Sequence, residues 1–242
     1  MGDRLGPVHA ACIRSFMRHG HDVVLHSYGR PVDTPDGVAM FDASALMRPD
    51  EIIRHRATGS LALASDRYRF RLLKAGMGVY VDCDMFCLQP FPDESYLYGL
   101  EQDAQVNGAV LAMPADSKLL QDIMSATEDD FFIPPWSRNT VRRLWSLRKA
   151  VGFPRHVADQ PWGTFGPQLV TYMIQKNTLM ETAQPIDIFY PLHFQQTSLL
   201  AQPGLRIADI VTPRTLGLHL YNQSLKGLQP AAGSPLHEII QS

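Results

Sequence analysis

Cysteine is scarce in this chain. Cys12, Cys83 and Cys87 are the only three among 242 residues. An odd, small number excludes a disulfide scaffold and fits a reducing compartment. Cys83 and Cys87 resemble half of a zinc site. A closed structural site needs four ligands, and neither a second cysteine pair nor a histidine follows at ligand spacing. Zinc is therefore not expected. An excess of charge of one sign is also missing: 22 Lys and Arg against 24 Asp and Glu give a formal net charge of -2. This excludes the broad positive field with which proteins gather nucleic acid, so no nucleic-acid partner is expected. No apolar run reaches the roughly 18 residues that a membrane-crossing helix requires. Residues 1–7 lack the apolar stretch of a secretory leader. The expectation is a cytoplasmic protein with at most peripheral contact at the inner face of a membrane.

What is present is an ordinary globular composition, 45% hydrophobic and 19% charged, enough for one buried core. Residues 1–228 read as a single domain and 229–242 as a loosely held tail. Helical spacing predicts helices over 7–19, 50–56, 60–75, 116–126, 141–151 and 167–176. Ser60 is the expected cap of the third. Short apolar runs predict strands over 22–28, 38–41, 79–81, 109–113, 186–190 and 216–221. Helix, glycine turn, strand and acidic pair in succession is the grammar of an α/β sheet with its site at a strand's carboxyl end.

That acidic pair is Asp82 and Asp84, which follow Val79-Tyr80-Val81. Carboxylates at i and i+2 on an extended strand point to one face, where both can approach one hard divalent cation. Such a cation neutralises charge on a leaving diphosphate. By itself Asp-x-Asp is a weak signal, and most copies are solvated loop acids. Upstream, Asp66 and Arg69 share a helix face beside Ser65. An acid there can accept ribose hydroxyls, and an arginine can bind a sugar or a phosphate. The plain alternative is a surface ion pair of a few tenths of a kcal/mol.

The ordered set Ser65-Asp66-x-x-Arg69, two glycines, then Tyr80-x-Asp82-x-Asp84 is far more specific than its parts. It resembles the sugar-transferase segment of glycosyltransferase family 32. That family includes yeast-type initiating mannosyltransferases, α-1,4-galactosyltransferases, bacterial polysaccharide enzymes and the glucosylating part of large clostridial toxins. The resemblance extends to Asn107 before Ala109-Val110-Leu111-Ala112, to Gly166-Pro167, to Phe189-Tyr190-Pro191 and to His219 through Ser224. It implies a GT-A-type α/β fold, a central mixed sheet flanked by helices. It also implies a nucleotide-diphosphate-sugar donor, a glycan or lipid-linked acceptor, Mn2+ (or Mg2+) as cofactor, and retention of anomeric configuration.

Residue by residue, the resemblance assigns Asp66 to the ribose or sugar and Arg69 to the sugar. Ser65, Tyr80 and Asn107 would border the donor. Asp82 would meet donor hydroxyls or the metal, and Asp84 would ligate the metal. His219, or Ser224, would complete the metal and phosphate shell. Three departures stand out. Gly76-Met77-Gly78 replaces a Gly-Gly pair, and Leu225 stands where the family has an aromatic. The strand that opens the family's domain is expected to be missing, because Met1 to Arg4 stand where it should already end.

The remaining histidines show no pairing at ligand spacing and read as surface or satisfied core residues, with His193 a candidate for the pocket edge. Arg138, Arg142, Arg143, Arg148 and Lys149, interleaved with Trp136 and Trp145, read as a solvated face, with lipid docking as the minor alternative. Two other functions compete. A phosphohydrolase of the haloacid-dehalogenase type also places Asp-x-Asp after an apolar strand, but there the motif opens the domain. A degenerate, non-catalytic domain that binds a nucleotide sugar or a partner protein is the third reading.

Overall fold

The computed structural model describes residues 3–242, and all statements below concern those residues. Helix α1 (Pro7–Arg18) leads into strand β1 (Val24–Ser27), and β2 (Ala39–Asp42) pairs with it in parallel. Helix α2 (Ala62–Lys74) is followed by β3 (Tyr80–Val81), β4 (Met85–Cys87), β5 (Leu97–Gln102) and β6 (Gln105–Ala112). Helices α3 (Lys118–Thr127), α4 (Asn139–Ala150), α5 (Pro167–Lys176) and the single turn α6 (Ile186–Phe189) come next. Strand β7 (Gly217–His219) and helix α7 (Pro235–Gln241) close the chain.

The architecture is mixed α/β. The strands do not form the one central sheet that was expected. They form a parallel pair β1-β2, an antiparallel trio β3-β6-β5 and an antiparallel pair β4-β7. The division falls at the acidic pair. The Met85 N–H donates to the Asp82 carbonyl at 3.0 Å, so Asp82-Cys83-Asp84 is a turn and not extended strand. Strand β3 turns there and hands over to β4, which takes β7 as its partner.

Several expected elements shift for tertiary reasons. Residues 50–56 form only the 3-10 turn Pro49–Glu51, because the chain beyond it bonds elsewhere. There the Arg56 N–H donates to the Ala158 carbonyl and the His55 N–H to the Ser60 carbonyl. Helix α2 starts one residue past Ser60's neighbour Leu61, and Ser60 Oγ still accepts the Ala62 N–H at 3.2 Å. Residues 186–190 alternate like a strand but form α6, which follows Pro185. The tail expected to be loose ends in α7, where Leu236 is 2% exposed and Ile239 0%. Burying such side chains contributes about 1.5–3 kcal/mol each. They pack with Ala11, Phe86, Leu218 and Leu220, which joins the two ends of the chain through β4 and β7. A second core lies where α2, α3 and α5 pack on β5 and β6, around Phe70, Leu111, Leu120, Phe165 and Leu169.

Candidate metal centre and its arginine clamp

Helix α2 carries Ser65, Asp66 and Arg69 toward the end of β3. Asp66 and Arg69 are not a surface pair: their exposures are 5% and 8%, and Arg69 Nη2 stands 3.4 Å from Asp66 Oδ1. The same guanidinium donates through Nη1 to the Gly108 carbonyl at 2.7 Å. Through Nη2 it reaches Ser65 Oγ at 3.5 Å and Asp82 Oδ1 at 3.4 Å. It also lies over the Tyr80 ring, 4.8 Å from its centroid. The planar, forked shape of arginine suits so many partners at once, and lysine would not replace it. Glycine at 108 leaves room for this fit, since a Cβ there would stand 2.5 Å from Arg69 Nη1 and push it aside. The Tyr80 hydroxyl donates to Asp82 Oδ1.

This end is electrostatically dense. Burial raises the Asp66 carboxyl to about 6, with Arg69 pulling it down and Asp82 pushing it further up. Apart from the Arg69 pair, the Asp66 carboxylate makes no hydrogen bond among the described residues. Arg69 Nε is buried and also lacks a partner.

The other end is built from β4 and β7. Their antiparallel register sets Met85 opposite His219, and the Leu220 N–H donates to the Asp84 carbonyl at 3.0 Å. This brings His219 Nε2 to 3.4 Å from Asp84 Oδ1. Asp84 Oδ2 accepts the Asn222 N–H at 2.8 Å. Between them Tyr221 adopts φ 49°, a left-handed conformation that is uncommon outside glycine. It turns the chain so that the Asn222 N–H faces the carboxylate, while the Tyr221 ring sits 4.1 Å from that of His219.

Asp82, Asp84 and His219 each offer one ligand atom, and those atoms lie within 4.8 Å of one another. Two carboxylate oxygens and one imidazole nitrogen form a donor set that could hold a metal ion. Burial would raise Asp84, but the hydrogen bond and charge of His219 and the Asn222 N–H outweigh it and hold the carboxyl below its usual range. Burial would likewise lower His219, and Asp84 reverses this. Asp84 is therefore an anion at neutral pH, as a ligand must be. His219 Nδ1 is buried without a partner, as are the hydroxyls of Tyr190 and Tyr221 beside it. The unpartnered imidazole nitrogen of His219, on the residue that faces Asp84, marks a place suited to something further binding there.

Of the residues singled out from the sequence, Ser65, Asp66, Arg69, Tyr80, Asp82, Asp84 and His219 come together. Asn107 lies next to the Gly108 carbonyl, on β6. Its Oδ1 accepts the Ala109 N–H at 2.8 Å and its amide nitrogen makes no hydrogen bond among the described residues. Its visible task is to shape the backbone that receives Arg69. Ser224 departs from expectation. It is exposed on the turn after Asn222, and no hydrogen bond among the described residues joins its hydroxyl to the carboxylates. Beside Asp84 it is the backbone N–H of the neighbouring Asn222 that donates, at 2.8 Å, to Oδ2.

Sequence reasoning missed Glu101, Tyr221 and the backbone role of Asn222. Glu101 on β5 bears electrostatically on His219 and Tyr221. Its signal was hidden because Leu97–Gln102 has an internal glycine and no clean alternation. Leu225, where an aromatic was expected, is buried in the core with Leu236. Cys12 and Cys87 are buried, Cys83 is exposed, and all three are free thiols. No protein-family model, no curated protein and no solved structure matches the chain. No helix among the described residues is long and apolar enough to cross a membrane.

Proposed function

We propose that this chain is a metal-dependent glycosyltransferase of the family 32 type, with a GT-A-like domain. On this reading it moves a sugar from a nucleotide-diphosphate donor to a glycan or lipid-linked acceptor, with retention. One observation carries the proposal: the ligand atoms of Asp82, Asp84 and His219 converge within 4.8 Å beside a buried Asp66–Arg69 pair. In a dehalogenase-type phosphohydrolase the acidic pair opens the domain, whereas here α1, β1, β2 and α2 all precede Asp82.

Asp82, Asp84 and His219 would hold Mn2+ (or Mg2+). When bound, the ion supplies Lewis-acid stabilisation of the charge that develops on the departing diphosphate. The chain's own residues do the rest. Asp66 presents a carboxylate without other hydrogen bonds to donor hydroxyls. Arg69 fixes Asp66 and Asp82 in relation to each other and brings a cationic face toward the donor. Tyr80 closes the side of the pocket over that guanidinium. The Asn222 N–H keeps Asp84 oriented and ionised.

The test is a screen of nucleotide sugars for hydrolysis and transfer, with and without Mn2+, on wild type and Asp84→Ala. We expect one donor to be turned over only with metal. Asp84→Ala should lose roughly a thousandfold in rate, about 4 kcal/mol of transition-state stabilisation. Full activity in excess chelator, or in the variant, overturns the reading. Metal-dependent donor binding in calorimetry with no turnover of any donor would assign the chain to a binding role instead.

A further inference from the structure

Helix α4 presents a surface that the site does not use. Among its residues only Trp145 is buried, with the Arg155 guanidinium 5.3 Å over its ring. Leu144, Leu147 and Val151 follow at i, i+3 and i+7, so they share one face, and they are 54%, 62% and 59% exposed. Arg143 and Arg148 border that stripe on either side. Just past the helix, Phe153 is 71% exposed. It is not a loose loop residue: its N–H donates to the Arg148 carbonyl at 2.8 Å and its carbonyl accepts from Arg148 Nε at 3.2 Å. The protein thus holds four apolar side chains in water, in fixed positions.

The charge around them is of one sign. Residues 137–155 contain six Lys and Arg and no Asp or Glu, although the whole chain has a slight acidic excess. Lys149 is paired with Asp129 at 2.9 Å, and Arg155 stacks on Trp145. Arg138, Arg142, Arg143 and Arg148 have no ion-pair partner among the described residues. A second copy of the chain is a poor occupant for this face, because it would set one cationic row against another. An anionic bilayer surface complements both features at once. The apolar stripe enters the headgroup boundary, and the bordering arginines meet lipid phosphates.

We propose that the α4 face, with Phe153, is a docking surface for an anionic phospholipid membrane, and that the protein binds such membranes peripherally. This does not depend on the glycosyltransferase reading. The test is co-sedimentation of the full chain with vesicles rich in phosphatidylglycerol and with vesicles of phosphatidylcholine alone. Two double variants are compared, Leu144→Glu with Leu147→Glu and Arg142→Glu with Arg143→Glu. All four side chains are exposed, so the thermal midpoints should match wild type. Wild type should partition onto the anionic vesicles at least about tenfold better than onto the neutral ones, and less so as salt is raised. Each double variant should lose about tenfold of that binding. Equal binding to both vesicle types, retention by both variants, or a sedimentation-velocity dimer that the variants abolish while vesicles go unbound would each overturn the proposal.

Discussion

The two ends of the candidate site are held by different means. Asp66, Arg69, Tyr80 and Asp82 lie on one short stretch of chain, α2 and β3, and a single buried guanidinium ties them together. Asp84 and His219 come from distant parts of the chain and meet because β4 pairs with β7. At the first end, the single cation of Arg69 partly offsets the charges of Asp66 and Asp82. At the second, Asp84 meets the Asn222 N–H and the His219 imidazole, and His219 Nδ1 is left without a partner. Both ends keep a buried nitrogen without a partner, Arg69 Nε at the first and His219 Nδ1 at the second, so each has bonding capacity left for a ligand. Asp82 belongs to both, which couples them.

The comparison can be broken most directly at Arg69. Arg69→Ala leaves Asp66 and Asp82 as buried carboxylates without their cation, a loss of about 3–5 kcal/mol. Urea unfolding would read it, and a loss under about 1 kcal/mol would mean that the clamp is not structural. The next effect is on pH dependence. Asp66 is raised to about 6 in the folded protein, so the unfolded chain ionises it first. Its contribution is full below the usual carboxylate range and is lost as pH rises through about 6. Wild type should lose up to ~2 kcal/mol from this group between about pH 4 and pH 7, and Asp66→Asn should remove that slope. Parallel stability–pH curves for the two proteins would contradict this. The smallest effect is expected at Gly108. Gly108→Ala pushes its new methyl against Arg69 Nη1, the end of a long side chain, and should cost about 1 kcal/mol. On the proposed function it should weaken nucleotide-sugar binding more than Mn2+ binding, each read by calorimetry, because it moves the clamp and leaves β4 and β7 in place.

Legibility in the sequence followed locality. Helices α1, α2 and α5 were readable because each has an amphipathic stripe and a stop signal, and α5 begins at Gly166-Pro167. Strand β4 was not readable, since Met85-Phe86-Cys87 is a run of three buried residues without alternation. The turn at Asp82-Cys83-Asp84 also escaped, and with it the argument that the pair shares one face of a strand. The carboxylates converge all the same, because the turn and the β4-β7 pairing bring them to His219. Helix α7 was misjudged as loose tail because its polar, proline- and glycine-containing approach gives no hint of the apolar cleft that receives Leu236 and Ile239.

By itself the sequence determined the composition of an α/β protein and the identity of the acids, the arginine and the tyrosine within one local segment. Spacing of three to four along a helix is enough to place Asp66 beside Arg69. Only the tertiary structure decided that this pair is buried, that Asp84 faces His219, and that the Asn222 N–H donates to Asp84. Those outcomes depend on strand pairing across most of the chain's length, which no local spacing encodes. They also depend on desolvation, which exists only once the surrounding core has closed.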